Sequence, residues 1–157
     1  MNVNAASEII SRIEVAGIRP NIIHYSILIN IYTRAELFNK AWDVWALVKY
    51  LSVETAPDSL AYFQILRLCA REKNAEKALD IWLEMQERGI SPEPAHYTAL
   101  AHACSMRQEY YLEAWKQAGT LLKDGNYLIT CNVMLGACGK NGDLTAARAL
   151  FSRIMLR

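Results

Sequence analysis

The sequence predicts an all-α fold: a solenoid of antiparallel helix–turn–helix repeats about 35 residues long. Two phase-locked apolar stripes and a recurring Gly/Pro punctuation predict it. The first stripe is an Ala followed by apolar residues three, four and seven places later. It reads Ala6, Ile9, Ile10, Ile13; Ala41, Val44, Trp45, Val48; Ala78, Ile81, Trp82, Met85; and Ala147, Leu150, Phe151, Ile154. A weaker copy, Ala114, Gln117, Ala118, Leu121, carries one polar substitution. The second stripe reads Tyr25, Leu28, Ile29, Tyr32; Tyr62, Ile65, Leu66, Cys69; Tyr97, Leu100, Ala101, Cys104; and Cys131, Met134, Leu135, Cys138. Both have the spacing of an amphipathic helix, so each period holds two helices, A (the Tyr-led stripe) then B (the Ala-led one).

The punctuation sets the boundaries in order. Gly17-Ile18-Arg19-Pro20-Asn21, Ala56-Pro57-Asp58 and Gly89-Ile90-Ser91-Pro92-Glu93-Pro94 precede successive A helices. Gly ends the helix before, Pro blocks its continuation, and Asn21 and Asp58 can accept hydrogen bonds from the orphan amides of the helix after. Pro94 suits a first helical position, where its missing N–H costs nothing. Breaks between A and B fall at Asn74 and at Gly142-Asp143, and a fourth boundary, Asp124-Gly125-Asn126-Tyr127, lacks Pro. The expected organisation is one array over 1–157: a partial repeat at 1–21, repeats at 22–58, 59–93 and 94–127, and a truncated repeat at 128–157. An array that starts in one B helix and stops in another lacks the polar capping repeats that solenoids need, so a fragment of a longer protein is expected.

A hairpin cannot bury both stripes alone; stacking buries them in a continuous two-layer core. Small alanines let helices approach, and Trp45, Trp82 and Phe151, sharing one slot, are expected to fill the space between repeats. Cys69, Cys104 and Cys138 recur at repeat spacing, and with Cys131 they form no zinc-like pattern, so structural thiols are expected.

Chemistry of other kinds lacks its signatures. The histidines, His24, His96 and His102, have no metal or triad spacing. His24 and His96 share the slot just before Tyr25 and Tyr97, which predicts a structural or groove-surface role. No Gly-rich phosphate loop or nucleophile motif occurs, so no catalytic residue, metal, cofactor or small-molecule substrate is expected. No apolar run approaches the roughly 18 residues of a membrane span. Met1 to Ser11 have neither a secretory layout nor the arginines of an organellar presequence. A net charge of +1 excludes the strongly basic class of nucleic-acid-binding domain, so a nucleic-acid role depends on where charges lie.

Asn132 to Gly142, NVMLGACGKNG, resembles the A helix and turn of a pentatricopeptide repeat. Ala78 to Pro92, ALDIWLEMQERGISP, resembles its B helix and exit, and Arg19-Pro20-Asn21 and Pro57-Asp58 its junction. The resemblance covers essentially the whole chain, and tetratricopeptide repeats lack this junction. It implies a right-handed superhelix whose A helices line an inner groove for single-stranded RNA: messenger, intron or ribosomal. It implies action in RNA processing, stability, splicing or translation, in the mitochondrion first and the chloroplast second.

By that resemblance one base is read per repeat, by the residue after the Tyr slot paired with the last residue before the next repeat. The pairs are Ser26 with Asp58, Phe63 with Glu93, and Thr98 with Tyr127 or Asn126; Asn132 has no partner in the chain. Ser26 with Asp58 fits a purine, and the resemblance favours guanine. Phe63 cannot donate to a base edge, and Glu93 is long for the geometry. Ile23, Leu60 and Ile129, two places before the Tyr slot, are the base-stacking candidates, with Ala95 too small to add much. Arg34, Arg71 and Lys140, with Arg107 displaced by one, form a basic stripe near the A-helix ends, suited to phosphates or to the helix dipole. The off-pattern pairs and the near-neutral charge also fit a second reading, a scaffold subunit of a mitochondrial ribosome or other large organellar ribonucleoprotein. A third reading is a tetratricopeptide-like adaptor that grips a peptide.

Overall fold

A computed structural model describes residues 8, 11–13, 15–50, 56–106, 110, 113–114 and 128–155, without the side chains of 129, 130, 153 and 154. The elements are α1 (Ile22–Arg34), α2 (Phe38–Tyr50), α3 (Ser59–Glu72), α4 (Ala75–Glu87), α5 (Pro94–Cys104), α6 (Leu128–Asn141) and α7 (Leu144–Met155). No strand occurs among the described residues. The chain forms two compact units, Met1–Leu68 and Cys69–Arg157. The first holds α1, α2 and most of α3; the second holds the end of α3 with α4 to α7.

In the first unit, α1 starts at Asn21, whose Oδ1 accepts from the amides of Ile23 (3.1 Å) and His24 (3.3 Å). The Asn21 amide in turn donates to His24 Nδ1 at 3.1 Å, a reciprocal cap with His in the place usually held by Glu. Tyr25, Leu28, Ile29 and Tyr32 are all buried, as the stripe predicts. Just beyond α1, Glu36 has φ 60, while the Leu37 amide donates to the Tyr32 carbonyl at 3.0 Å. This turn has no Gly, so the sequence left it unmarked; the Schellman-type bond holds Glu36 in the left-handed region. Ala41, Trp45 and Val48 of α2 are buried, and Trp45 meets Tyr62 of α3 edge to face at 5.2 Å. Asp58 Oδ1 accepts from the Ala61 amide at 2.8 Å and starts α3.

The second unit repeats this construction. Lys73 has φ 55, and the Asn74 amide donates to the Cys69 carbonyl at 3.0 Å. Asn74 Oδ1 then accepts from the Lys77 amide at 3.1 Å and starts α4. At the corresponding place after α6, Gly142 has φ 69, the Asp143 amide donates to the Cys138 carbonyl at 2.9 Å, and Asp143 Oδ1 accepts from the Ala146 amide at 2.9 Å. Trp82 of α4 meets Tyr97 of α5 at 4.7 Å, again edge to face. Helix α5 opens with Pro94 at its start and His96 Nδ1 accepting from the Glu93 amide at 3.1 Å. Asn141 Nδ2 donates to the Ser105 carbonyl at 3.3 Å and to the Ala137 carbonyl at 2.9 Å, tying the end of α6 to the end of α5.

Magnitudes rank these devices. A side-chain cap contributes about 1 kcal/mol, whereas truncating a buried Trp costs about 3–5 kcal/mol. The Trp–Tyr contacts between successive helices therefore dominate, and caps set where each helix begins. Phe151 departs from the expected slot behaviour: it is 56% exposed. Trp45 and Trp82 are each covered by the Tyr of a following A helix, and α7 is the last described element, so nothing described covers Phe151. All four cysteines are buried, and none is in a disulfide. Ala6, Ile9 and Ile10 of the first stripe, and Gln117, Ala118 and Leu121 of the weak one, lie outside the described residues, as does the Asp124-Gly125-Asn126-Tyr127 boundary.

Candidate nucleic-acid interface

The residues after the Tyr slot differ from repeat to repeat. On α1, Ser26 is only 1% exposed, and its Oγ is buried with no hydrogen-bond partner among the described residues. One turn further along α1, Asn30 Oδ1 is in the same condition. Orphaned buried polar atoms are rare in folded proteins, and two of them one turn apart on one helix are more so. Asp58, the proposed companion of Ser26, is exposed, and one of its carboxylate oxygens is already engaged in capping α3.

On α3, Phe63 is half-buried, and the Arg67 guanidinium carbon lies 5.6 Å from its ring centroid. Arg67 Nη1 donates to Gln64 Oε1 at 3.2 Å. Phe63 falls in the first unit, and Glu93, exposed at the start of α5, in the second. Thr98 on α5 spends its hydroxyl on the Pro94 carbonyl at 3.0 Å, one turn back. Asn132 on α6 is exposed. Tyr127 and Asn126 lie outside the described residues.

Two places before the slot, Ile23 is 52% exposed and Leu60 44% exposed. Ala95 is exposed, and the Ile129 side chain lies outside the description. Arg34, Arg71 and Lys140 are exposed in the last turns of α1, α3 and α6, where each complements the helix dipole. Arg107 lies outside the described residues. His102, in the last turn of α5, is pushed below its usual pKa by burial and by the nearby Lys140. His24 and His96 act as helix-starting acceptors. Among the described residues no group of His, Cys, Asp and Glu could hold a metal, and no helix is long and apolar enough to cross a membrane.

The sequence-based candidates omit Asn30, Arg67 and His102, which share a slot four places beyond the reading residue. Their signal is visible in the sequence as a polar residue one helical turn past the slot, recurring in three repeats.

These features define helical repeats that carry exposed basic residues in the last turns of α1, α3 and α6. The family comparison makes the class specific: the family model described as a pentatricopeptide repeat domain matches residues 1–34 and 54–107, and that described as a PPR repeat matches 23–51 and 129–157. The chain belongs to the pentatricopeptide repeat family. It is 34% identical over 150 residues to the mitochondrial 15S rRNA processing factor CCM1 of Lachancea thermotolerans, covering 85% of this chain and 17% of that protein. The CCM1 of Vanderwaltozyma polyspora is 32% identical over 149 residues, covering 86% of this chain and 17% of its own length. The chain thus spans about a sixth of the length of these relatives. Among solved structures, the pentatricopeptide repeat protein PPR10 from maize superposes with a TM-score of 0.74 at 21% identity, over 98% of this chain and 22% of that one. PPR10 in complex with an 18-nt psaJ RNA element gives 0.58 at 17% identity, over 98% and 27%. The likeness establishes the helical-repeat fold.

Proposed function

We propose that this chain is an RNA-binding part of a mitochondrial RNA-processing factor, which holds a single-stranded stretch of ribosomal RNA against its A helices and acts by binding, with no catalysis of its own. The observation that carries the reading is the exposure of Ile23 and Leu60 at one slot of two A helices. Large aliphatic side chains kept in water at a repeated position offer flat apolar surface on which bases can stack. Asp58 and Asn132, both exposed, then offer polar groups to base edges, and Arg34, Arg71 and Lys140 offer charge to phosphates. Similarity to the mitochondrial 15S rRNA processing factors supports the mitochondrial location and a 15S ribosomal RNA target.

The test is titration of the chain with single-stranded RNA from the mitochondrial 15S rRNA, alongside the same sequence as a duplex. Binding to the single strand, weakening steeply with salt and on replacing Ile23 and Leu60 with Ser, is the expected result. No association at low salt would sink the reading. Stable, stoichiometric copurification with ribosomal subunits, together with equal affinity for duplex RNA, would establish the scaffold alternative in its place.

A further inference from the structure

We propose that Arg67, and not Phe63, is the base-selecting side chain of the second full repeat, and that it selects guanine; this rests on the RNA-binding reading above. Phe63 occupies the reading slot but offers neither a donor nor an acceptor to a base edge. Side chains on a helix lean toward its N-terminus, so a long residue covers the turn before its own Cα. Arg67, four places after Phe63, does this: its guanidinium lies over the Phe63 ring, 5.6 Å from the centroid. The functional group presented at the reading position of this repeat is therefore a guanidinium.

Its orientation is set from two sides. The ring supports one face of the guanidinium by a cation–π contact. Gln64, nine-tenths buried, accepts from Nη1 at 3.2 Å through Oε1. Arg has five N–H donors and no acceptor, so four donors are left unspent by that bond. Among the described residues no carboxylate pairs with Arg67. A half-buried guanidinium without a counter-charge suits a ligand edge that consists of acceptors.

Guanine has such an edge. Its O6 and N7 are adjacent acceptors, and Arg takes them with two parallel bonds. Adenine sets an amino donor beside N7, and uracil separates its carbonyls with an N–H. Cytosine has adjacent N3 and O2, but its amino group flanks them. On α1 the corresponding slot holds Asn30, whose Oδ1 is orphaned together with Ser26 Oγ. In both cases the residue four places on brings an unspent polar atom to a turn next to the reading residue.

The test uses the full chain carrying Ser26→Ala, so that any guanine preference left does not come from the first repeat. Ten-nucleotide oligouridine, unmodified or with one central guanosine, adenosine or cytidine, is titrated at low salt by fluorescence anisotropy. The single-guanosine RNA is expected to bind about tenfold more tightly than the other three, as a bidentate contact implies. Adding Arg67→Lys, which keeps the charge and loses the fork, is expected to erase that preference while affinity for oligouridine and its salt dependence stay the same. The inference is overturned if the preference survives Arg67→Lys, or if cytidine is preferred. It is equally overturned if Arg67→Ala weakens all four RNAs alike with a shallower salt slope, which marks a phosphate contact. If the unaltered chain, folded by circular dichroism, binds none of the four RNAs, the RNA-binding reading itself fails and this inference falls with it.

Discussion

Cys69 and Cys104 sit in the apolar stripes of α3 and α5, and burial pushes both thiols up to about 12, with Glu72 adding to the shift at Cys69 and Glu113 at Cys104. Thiolate is the reactive form, so neither side chain should react with iodoacetamide at pH 8 while the chain is folded. Labelling followed by mass spectrometry is expected to show modification of both only across the unfolding transition. His102 gives a prediction of opposite sign in pH. Burial and Lys140 hold its folded-state value below the ordinary 6.5, so as pH falls the unfolded chain takes up the proton first. Its contribution is therefore complete above that range, and stability declines as pH drops through about 6.5. Urea midpoints at pH 7.5 and 5.5 should differ less in His102→Gln than in the unaltered chain, and Lys140→Gln should also narrow the difference. The caps at His24 and His96 show why residue roles were only half legible: sequence spacing placed both in one slot, but only geometry reveals Nδ1 accepting an amide.

At the scale of the helix, the stripes were legible because burial depends on period alone. The turns were less so. Gly142 is marked in the sequence, whereas Glu36 and Lys73 adopt the same left-handed conformation with side chains that disfavour it. At Gly89, φ is 72 and an added Cβ would meet nothing within 4 Å. Gly89→Ala therefore tests the backbone alone and is expected to cost about 1 kcal/mol by denaturant unfolding. Trp82→Ala, which empties the contact with Tyr97, is expected to cost about 3–5 kcal/mol. Asn74→Ala, which removes only a cap, is expected to cost about 1 kcal/mol. That ordering separates what holds successive helices together from what trims their ends.

For the molecule as a whole, charge placement outweighs charge total. A net charge of +1 conceals three exposed basic residues at a single helical position, Arg34, Arg71 and Lys140. If each meets one phosphate of a single strand, the slope of log affinity against log salt should fall by about 0.7 for each one neutralised. Arg34→Gln, Arg71→Gln and their combination, titrated from 50 to 200 mM salt, check this directly. The repeat and its family were readable because a stacking core recurs by necessity. The surroundings of the proposed reading positions were not, since they follow no common pattern: Ser26 is left unpartnered, Thr98 is bonded to its own helix, and Phe63 is overlain by a residue one turn away.

If Asp58 takes part in base reading as proposed, its place at a helix start has a consequence for how such a protein can change its target. Its carboxylate starts α3, as the carboxamide of Asn21 starts α1. Any residue that replaces it must still present a short oxygen to an amide two or three places on, which only Asp, Asn, Ser and Thr do well. The last letter of a repeat is thus drawn from a small alphabet dictated by helix initiation, before any nucleotide is involved. Glu93 steps outside that alphabet, and there Pro94 and the His96 imidazole, which accepts from the Glu93 amide, help to start the helix. On the proposed reading, drift toward a new target is freest at the residue after the Tyr and one turn beyond it. At the junction, each new letter needs a second way to begin the next helix.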